Sequence, residues 1–293
     1  MGHRQPLIIL TCMRSYSSLV SGMLGQHPAL YNLPEVNPFV ETTLERFERR
    51  AMMVRPRTLD GFYRAVAEIE FGAQTEEAID RARSWARARP SWTITKAMDH
   101  LAARVAPRRV IDKSPSTVLS DEALNRAIAA YPDGFFLHLY RHPGATTRSI
   151  AKITRFGSGR MRGQDPETSW YASNRRIIAA APRIAPGRFM SVRGEDVLAD
   201  PDRYLPQICE WLGLEATSED LAAMRHPERS PYACVGPSSA PFGNDPNFLR
   251  NPAYVRRDIP EAPLSEPLDW DQPGRFLRPE TVAIAQQMGY GRP

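Results

Sequence analysis

The stretch Pro-Leu-Ile-Ile-Leu-Thr-Cys-Met-Arg-Ser-Tyr-Ser-Ser-Leu-Val-Ser-Gly-Met-Leu-Gly-Gln-His-Pro, residues 6–28, decides the fold. Leu7–Leu10 is an apolar run of the length expected for a buried parallel strand, about 4–8 residues. Arg14, Ser15, Tyr16, Ser17 and Ser18 follow as a polar turn, and Leu19, Met23 and Leu24 then recur on one helical face. In a strand–turn–helix unit the backbone N–H groups at the helix start converge where an anion can sit. Arg14 adds a permanent positive charge beside them. The segment predicts a bound phosphate or a chemical relative of it, although an ordinary capped helix has a similar composition.

Working outward, apolar runs at 29–33, 110–111, 135–140 and 189–192 read as further strands. Helical patterns separate them at 60–71, 76–89 (ending at Pro90), 120–131 (capped by Ser120, stopped by Pro132), 148–156, 168–181 and 201–212 (closed by Gly213). A last short helix is expected at 281–288. Strands alternating with helices argue for an α/β protein with a parallel sheet covered on both faces. The expected architecture is a three-layer α/β/α stack around a central, mostly parallel sheet of about five strands, read as one domain over 1–293.

Two stretches interrupt the alternation. Residues 42–101 are mostly helical and read as an insert that shapes a substrate pocket. Its Phe47, Met52, Met53, Phe62 and Tyr63 either line that pocket or fill core. Residues 227–271 are rich in Pro, Ser, Gly and Asn, with Tyr232, Phe242, Phe248 and Tyr254 interspersed. A loop of that length in a compact domain is functional or disordered, and the aromatics favour an ordered lid.

Composition sets the bounds. With 293 residues, 42% hydrophobic, there is ample material for a core, and a net charge of +5 favours anionic ligands without identifying them. Cys12, Cys209 and Cys234 are too few and scattered for a disulfide framework or a zinc site. No His, Asp and Glu spacing suggests a metal. Residues 1–6 lack an apolar signal core and no run approaches the roughly 18 residues of a membrane span. The expectation is a cytoplasmic protein with no metal, no membrane span and no nucleic-acid partner.

The loop lacks the Gly-Lys pair of P-loop nucleotidases and the three spaced glycines of dinucleotide folds. Arg14-Ser15-Tyr16-Ser17-Ser18 instead resembles the 5′-phosphosulfate loop of sulfotransferases. Residues 135–149, Phe-Phe-Leu-His-Leu-Tyr-Arg-His-Pro-Gly-Ala-Thr-Thr-Arg-Ser, are similar to that family's 3′-phosphate motif. There an Arg ends a strand, a Pro follows, and a Ser stands eight residues past the Arg. Residues 189–214 resemble its late strand and helix. The resemblance covers 6–214 in the family's order and implies a P-loop-like fold and the donor 3′-phosphoadenosine 5′-phosphosulfate (PAPS). It implies that Arg14, Ser15, Tyr16, Ser17 and Ser18 meet the 5′ side of the donor, and Arg141 and Ser149 its 3′-phosphate. The arginines are then expected in two separated cationic pockets at opposite ends of the nucleotide.

Two positions depart from the pattern. The usual loop Gly is Tyr16, whose ring is expected either to strain the turn or to point into the acceptor pocket. The usual Tyr before Glu195 is Gly194, which leaves the aromatic contact near adenine to Trp85, Trp92, Phe242 or Phe248.

Sulfuryl transfer needs an in-line acceptor oxygen and a base for its proton. Ile111-Asp112-Lys113-Ser114-Pro115 has no His and looks like the carbohydrate and tyrosyl-protein branch, in which a Glu beyond the second strand is the base. Glu35 lies 21 residues after Arg14 and matches that spacing. The resemblance therefore implies Glu35 as base and Lys113 as the group that offsets charge on the bridging oxygen. The plainer readings are a loop acid capping a helix near Phe39 and a surface ion pair of Lys113 with Asp112 or a neighbour. His27 and His142 are weaker base candidates. The acceptor is expected to be a small-molecule, lipid or carbohydrate hydroxyl. A P-loop-type small-molecule kinase and a nucleotide-binding protein without turnover are the alternatives.

Overall fold

The computed structural model describes residues 4–54, 56–156, 165–271 and 274–291. The bounds of the one-domain reading, and part of the N-terminal stretch read as lacking a leader, fall on residues 1–3 and 292–293, outside the described residues.

Strand β1 (Leu7–Leu10) leads through the polar turn into α1 (Ser17–Leu24) and then β2 (Leu30–Asn32). Four helices follow: α2 (Leu44–Val54), α3 (Asp60–Phe71), α4 (Glu76–Arg87) and α5 (Ile94–Arg104). The alternation then resumes with β3 (Arg109–Asp112), α6 (Asp121–Ala130), β4 (Phe135–Tyr140), α7 (Pro143–Phe156), α8 (Pro166–Ala180) and β5 (Phe189–Arg193). Helices α9 (Gly194–Ala199), α10 (Pro201–Trp211), α11 (Ser218–Met224), α12 (Pro246–Arg250) and α13 (Pro279–Gln287) complete the chain.

The sheet is five-stranded in the order β2-β3-β1-β4-β5, and every pairing is parallel. All four β1 residues are buried, as a strand covered on both faces requires. Side chains alternate across a strand. Leu7 and Ile9 thus pack on Val20, Met23 and Leu24 of α1 and on Leu205 and Ile208 of α10. Ile8 and Leu10 face the opposite layer, which includes Phe47, Phe62 and Ile79 from the helical insert.

Local signals explain most boundaries. Ser120 Oγ accepts from Ala123 N at 3.2 Å and caps α6 where expected. Gly213, at φ +69°, takes the left-handed conformation that ends α10. Helix α7 starts at Pro143, earlier than the sequence pattern indicated, because proline is favoured in a first turn that needs no N–H donor. Helix α8 likewise begins at Pro166, with Asp165 as its cap.

The stretch 227–271 is docked rather than free. Tyr232 is fully buried and Phe248 nearly so. Buried Arg64 of α3 donates to Phe242 O at 3.1 Å, and Phe242 N donates to Asp60 Oδ2 at 3.2 Å. The insert therefore carries the C-terminal loop across the carboxyl ends of the strands. In the insert, Phe47, Phe62 and Tyr63 are core, whereas Met52 and Met53 are exposed on α2.

Candidate active site

Helix α1 follows β1 and leads to β2 on one side of the sheet, whereas β4 leads to β5 on the other. The carboxyl ends of adjacent β1 and β4 therefore flank a crevice, the position at which open α/β sheets bind ligands. The turn after β1 fills it. Arg14 and Tyr16 both have positive φ, +69° and +65°, which is uncommon without glycine and costs on the order of 1 kcal/mol each. Tyr16 is also the N-cap of α1 and makes no side-chain cap, so the first N–H groups of α1 gain no side-chain acceptor from it. Ser15, Ser17 and Ser18 are buried beside it, and Ser15 Oγ has no hydrogen-bond partner.

Arg14 and Arg141 stand at neighbouring strand ends, because β1 and β4 pair directly, with Leu10 opposite His138. Arg141 NH1 donates to Arg14 O at 2.9 Å. Ser149, assigned above to the Arg141 end, instead accepts from Arg14 Nε at 2.9 Å. Arg14 also forms an ion pair with Asp245. The two arginines and Ser149 are thus one cluster at the crevice. Arg141 Nε is buried and has no partner, and burial lowers the pKa of this guanidinium.

Tyr16 turns toward Arg141. Its ring lies under the Arg141 guanidinium, 4.2 Å from carbon to ring centroid, and beside Gly194. The four aromatics expected to replace the missing strand-end tyrosine have other neighbours. Trp85 and Trp92 pack on each other in the insert, Phe242 lies under Arg57, and Phe248 faces Gly22 of α1.

Lys113, immediately after β3, is completely buried. Burying an ammonium is costly unless its donors are satisfied. Its Nζ donates to Glu35 Oε1 at 2.5 Å, Ser18 Oγ at 2.9 Å and Asn244 Oδ1 at 3.1 Å. The surface ion-pair reading of Lys113 therefore fails. Glu35, on the loop after β2, keeps its side chain 28% exposed. No helix starts near Phe39, so the capping reading of Glu35 fails as well; α2 begins at Leu44. Neighbouring Asp112 is fully buried and takes a hydrogen bond from Ser114 Oγ at 2.8 Å. Burial pushes its carboxyl up to about 7.

The C-terminal loop contributes groups that the sequence did not single out. Gly243 O accepts from Glu35 N at 2.5 Å. Asn244 bonds Lys113, and Asp245 N donates to Ser18 Oγ at 3.1 Å. The visible signal was Asp245-Pro246, a helix-start pair; nothing in it points to residues more than 200 positions earlier. The rejected bases lie apart from the Lys113–Glu35 pair. His27 bonds Glu215 O at 2.8 Å, and the His142 ring packs edge-on against Tyr290. Among the described residues no cluster of three His, Cys, Asp or Glu is arranged to hold a metal ion. No described helix is long and apolar enough to cross a membrane.

Polar groups from four strand ends and one distant loop thus converge on one crevice, with an uncapped helix start, two arginines and a carboxylate–ammonium pair. The sulfotransferase family model matches residues 6–219. The fold is similar to the sulfotransferase domain of the Synechococcus PCC 7002 olefin synthase, at 23% identity and TM-score 0.78, covering 100% of this chain and 97% of that one. It is also similar to the sulfotransferase domain from the curacin biosynthetic pathway, at 23% identity and TM-score 0.76, covering 99% and 100%. No curated protein sequence matches the chain.

Proposed function

The chain belongs to the sulfotransferase family, and on that premise we propose that it transfers a sulfuryl group from PAPS to an acceptor hydroxyl with Glu35 as general base. The observation that carries this reading is the Lys113 ammonium, which bridges the loop serine Ser18 and the Glu35 carboxylate. One buried cation thereby links the anion loop to the Glu35 carboxylate.

In the proposed step, the acceptor oxygen attacks sulfur as Glu35 takes its proton. The sulfur–oxygen bond to the 5′-phosphate breaks, and adenosine 3′,5′-bisphosphate (PAP) leaves. Arg14, the α1 N–H groups and Lys113 offset the charge that builds on the departing oxygen. Ser15, Tyr16, Ser17 and Ser18 hold the 5′ side, and Arg141 the 3′-phosphate together with Ser149, which gives up its bond to Arg14 Nε for the donor. The unpartnered Ser15 Oγ and Arg141 Nε suit that assignment as donors open to a ligand. No metal enters this mechanism.

We take the whole chain as one sulfotransferase domain in which the insert and C-terminal loop close over the acceptor, a small-molecule, lipid or carbohydrate hydroxyl. With Cys12, Cys209 and Cys234 unpaired, a reducing cytoplasm suits the chain. A thermal-shift panel of PAP, ATP and NADP tests the donor. PAP alone raises the melting temperature under this reading; a response to ATP and not to PAP favours a kinase. Binding of PAP without turnover of PAPS would leave a nucleotide-binding protein.

A further inference from the structure

The Glu35 carboxylate stands on a loop, and a base on a loop is useful only if the loop is held. The backbone of Glu35 is fixed from several directions. Its N–H donates to Gly243 O at 2.5 Å. Its carbonyl lies so close to Gly61 that a Cβ there would be 2.2 Å from it.

The third restraint is Asn37, two residues on. Its backbone is left-handed, at φ +53°, although the next residue is proline, which disfavours helical conformations before it. Four hydrogen bonds oppose that strain. Asn37 Nδ2 donates to Glu35 O at 3.1 Å and to Thr58 O at 3.0 Å. Asn37 Oδ1 accepts from Ser116 Oγ at 2.7 Å, and Asn37 N donates to Ser114 Oγ at 2.9 Å. Ser114 Oγ donates onward to Asp112 Oδ1. Residue 37 therefore joins the Glu35 loop to Ser114 and Ser116, just after Lys113, and through Thr58 to the turn before α3 of the insert.

We propose that Asn37 is a positioning residue that fixes the Glu35 carboxylate against Lys113, acting on catalysis through Glu35. This rests on the reading of Glu35 as base. The amide suits the task because it both donates to two carbonyls and accepts from a hydroxyl. Aspartate keeps the shape and the acceptor but loses both donors. Glycine keeps the left-handed backbone and loses all three side-chain bonds.

The test uses the full chain and release of labelled sulfate from PAPS to water, so that no acceptor need be known, together with calorimetric titration of PAP. Asn37→Gly and Asn37→Asp are expected to lower turnover about 10- to 100-fold, the scale of a misplaced reacting group, with the PAP dissociation constant within about twofold of wild type, since no Asn37 bond reaches the arginine cluster. Ser116→Ala, which frees the amide to rotate, moves turnover in the same direction and serves if an Asn37 variant fails to fold. In the Glu35→Gln background Asn37→Gly is expected to add nothing. Wild-type turnover in Asn37→Gly, or an undiminished further loss in that background, overturns the positioning role. Wild-type turnover in Glu35→Gln itself instead removes Glu35 as base, a separate failure.

Discussion

Gly194 provides the room that the Tyr16 ring occupies: a Cβ at position 194 would lie 3.0 Å from Tyr16 Cδ2 and 3.2 Å from Ser15 O. The two departures from the family pattern are therefore one event in space. The loop position that resembles the family's glycine and the strand-end position that resembles its tyrosine are neighbours here, and the aromatic ring approaches from the loop. Arg141 covers that ring, so the position of the ring also bears on where this guanidinium rests.

The pair should behave as a coupled unit. Gly194→Tyr alone is expected to destabilise the protein by about 1–3 kcal/mol through overpacking. Adding Tyr16→Gly should recover at least half of that, because it vacates the space and relieves the positive φ at residue 16. Urea unfolding of the two single variants and the double variant measures the coupling; strictly additive losses would show that the residues do not compensate one another.

Replacing Glu35, the proposed base, should separate chemistry from binding. Glu35→Gln is expected to lower turnover about 10²- to 10⁴-fold, the usual worth of a positioned base, while PAP still binds nearly as well. Single-turnover kinetics with calorimetry on the same preparation decides this.

Arg141→Ala should act on the donor instead. Loss of a guanidinium that bonds a phosphate is worth roughly 10- to 100-fold in affinity, and the PAP dissociation constant should rise by that amount. Equal affinity in both proteins would remove Arg141 from the 3′-phosphate site.

Asp112 predicts a pH signature. Its folded-state carboxyl is raised to about 7 from an ordinary value of 3.8, so between those values the native protein holds a proton that the unfolded chain releases. Stability should fall as pH rises from about 4 to about 7 and then level off with respect to this group. Asp112→Asn should remove that part of the slope when melting temperatures are compared between pH 5 and 8. A slope unchanged by the substitution would place its origin elsewhere.

The elements that announce themselves locally were legible. The apolar run Leu7–Leu10, the Ser120 cap and the residues of α3 follow from patterns a few residues long. The pairing of Arg14 with Ser149 was not, because it depends on β1 and β4 being neighbours, a long-range fact with no local signal. The burial of Lys113 was hidden for the same reason, since its partners Ser18, Glu35 and Asn244 come from three separate parts of the chain. Asn37 could be suspected only as an Asn-Pro turn; its grip on Glu35 needs the fold.

The central claim is tested most directly by following [35S]PAPS with the wild-type chain and with Glu35→Gln, and resolving PAP and labelled products by chromatography. The account predicts PAP formed in step with label leaving the nucleotide for a hydroxyl acceptor or water, and little of either with the variant. Intact PAPS across a broad hydroxyl panel, with label passing instead from [γ-32P]ATP to an acceptor, would contradict it.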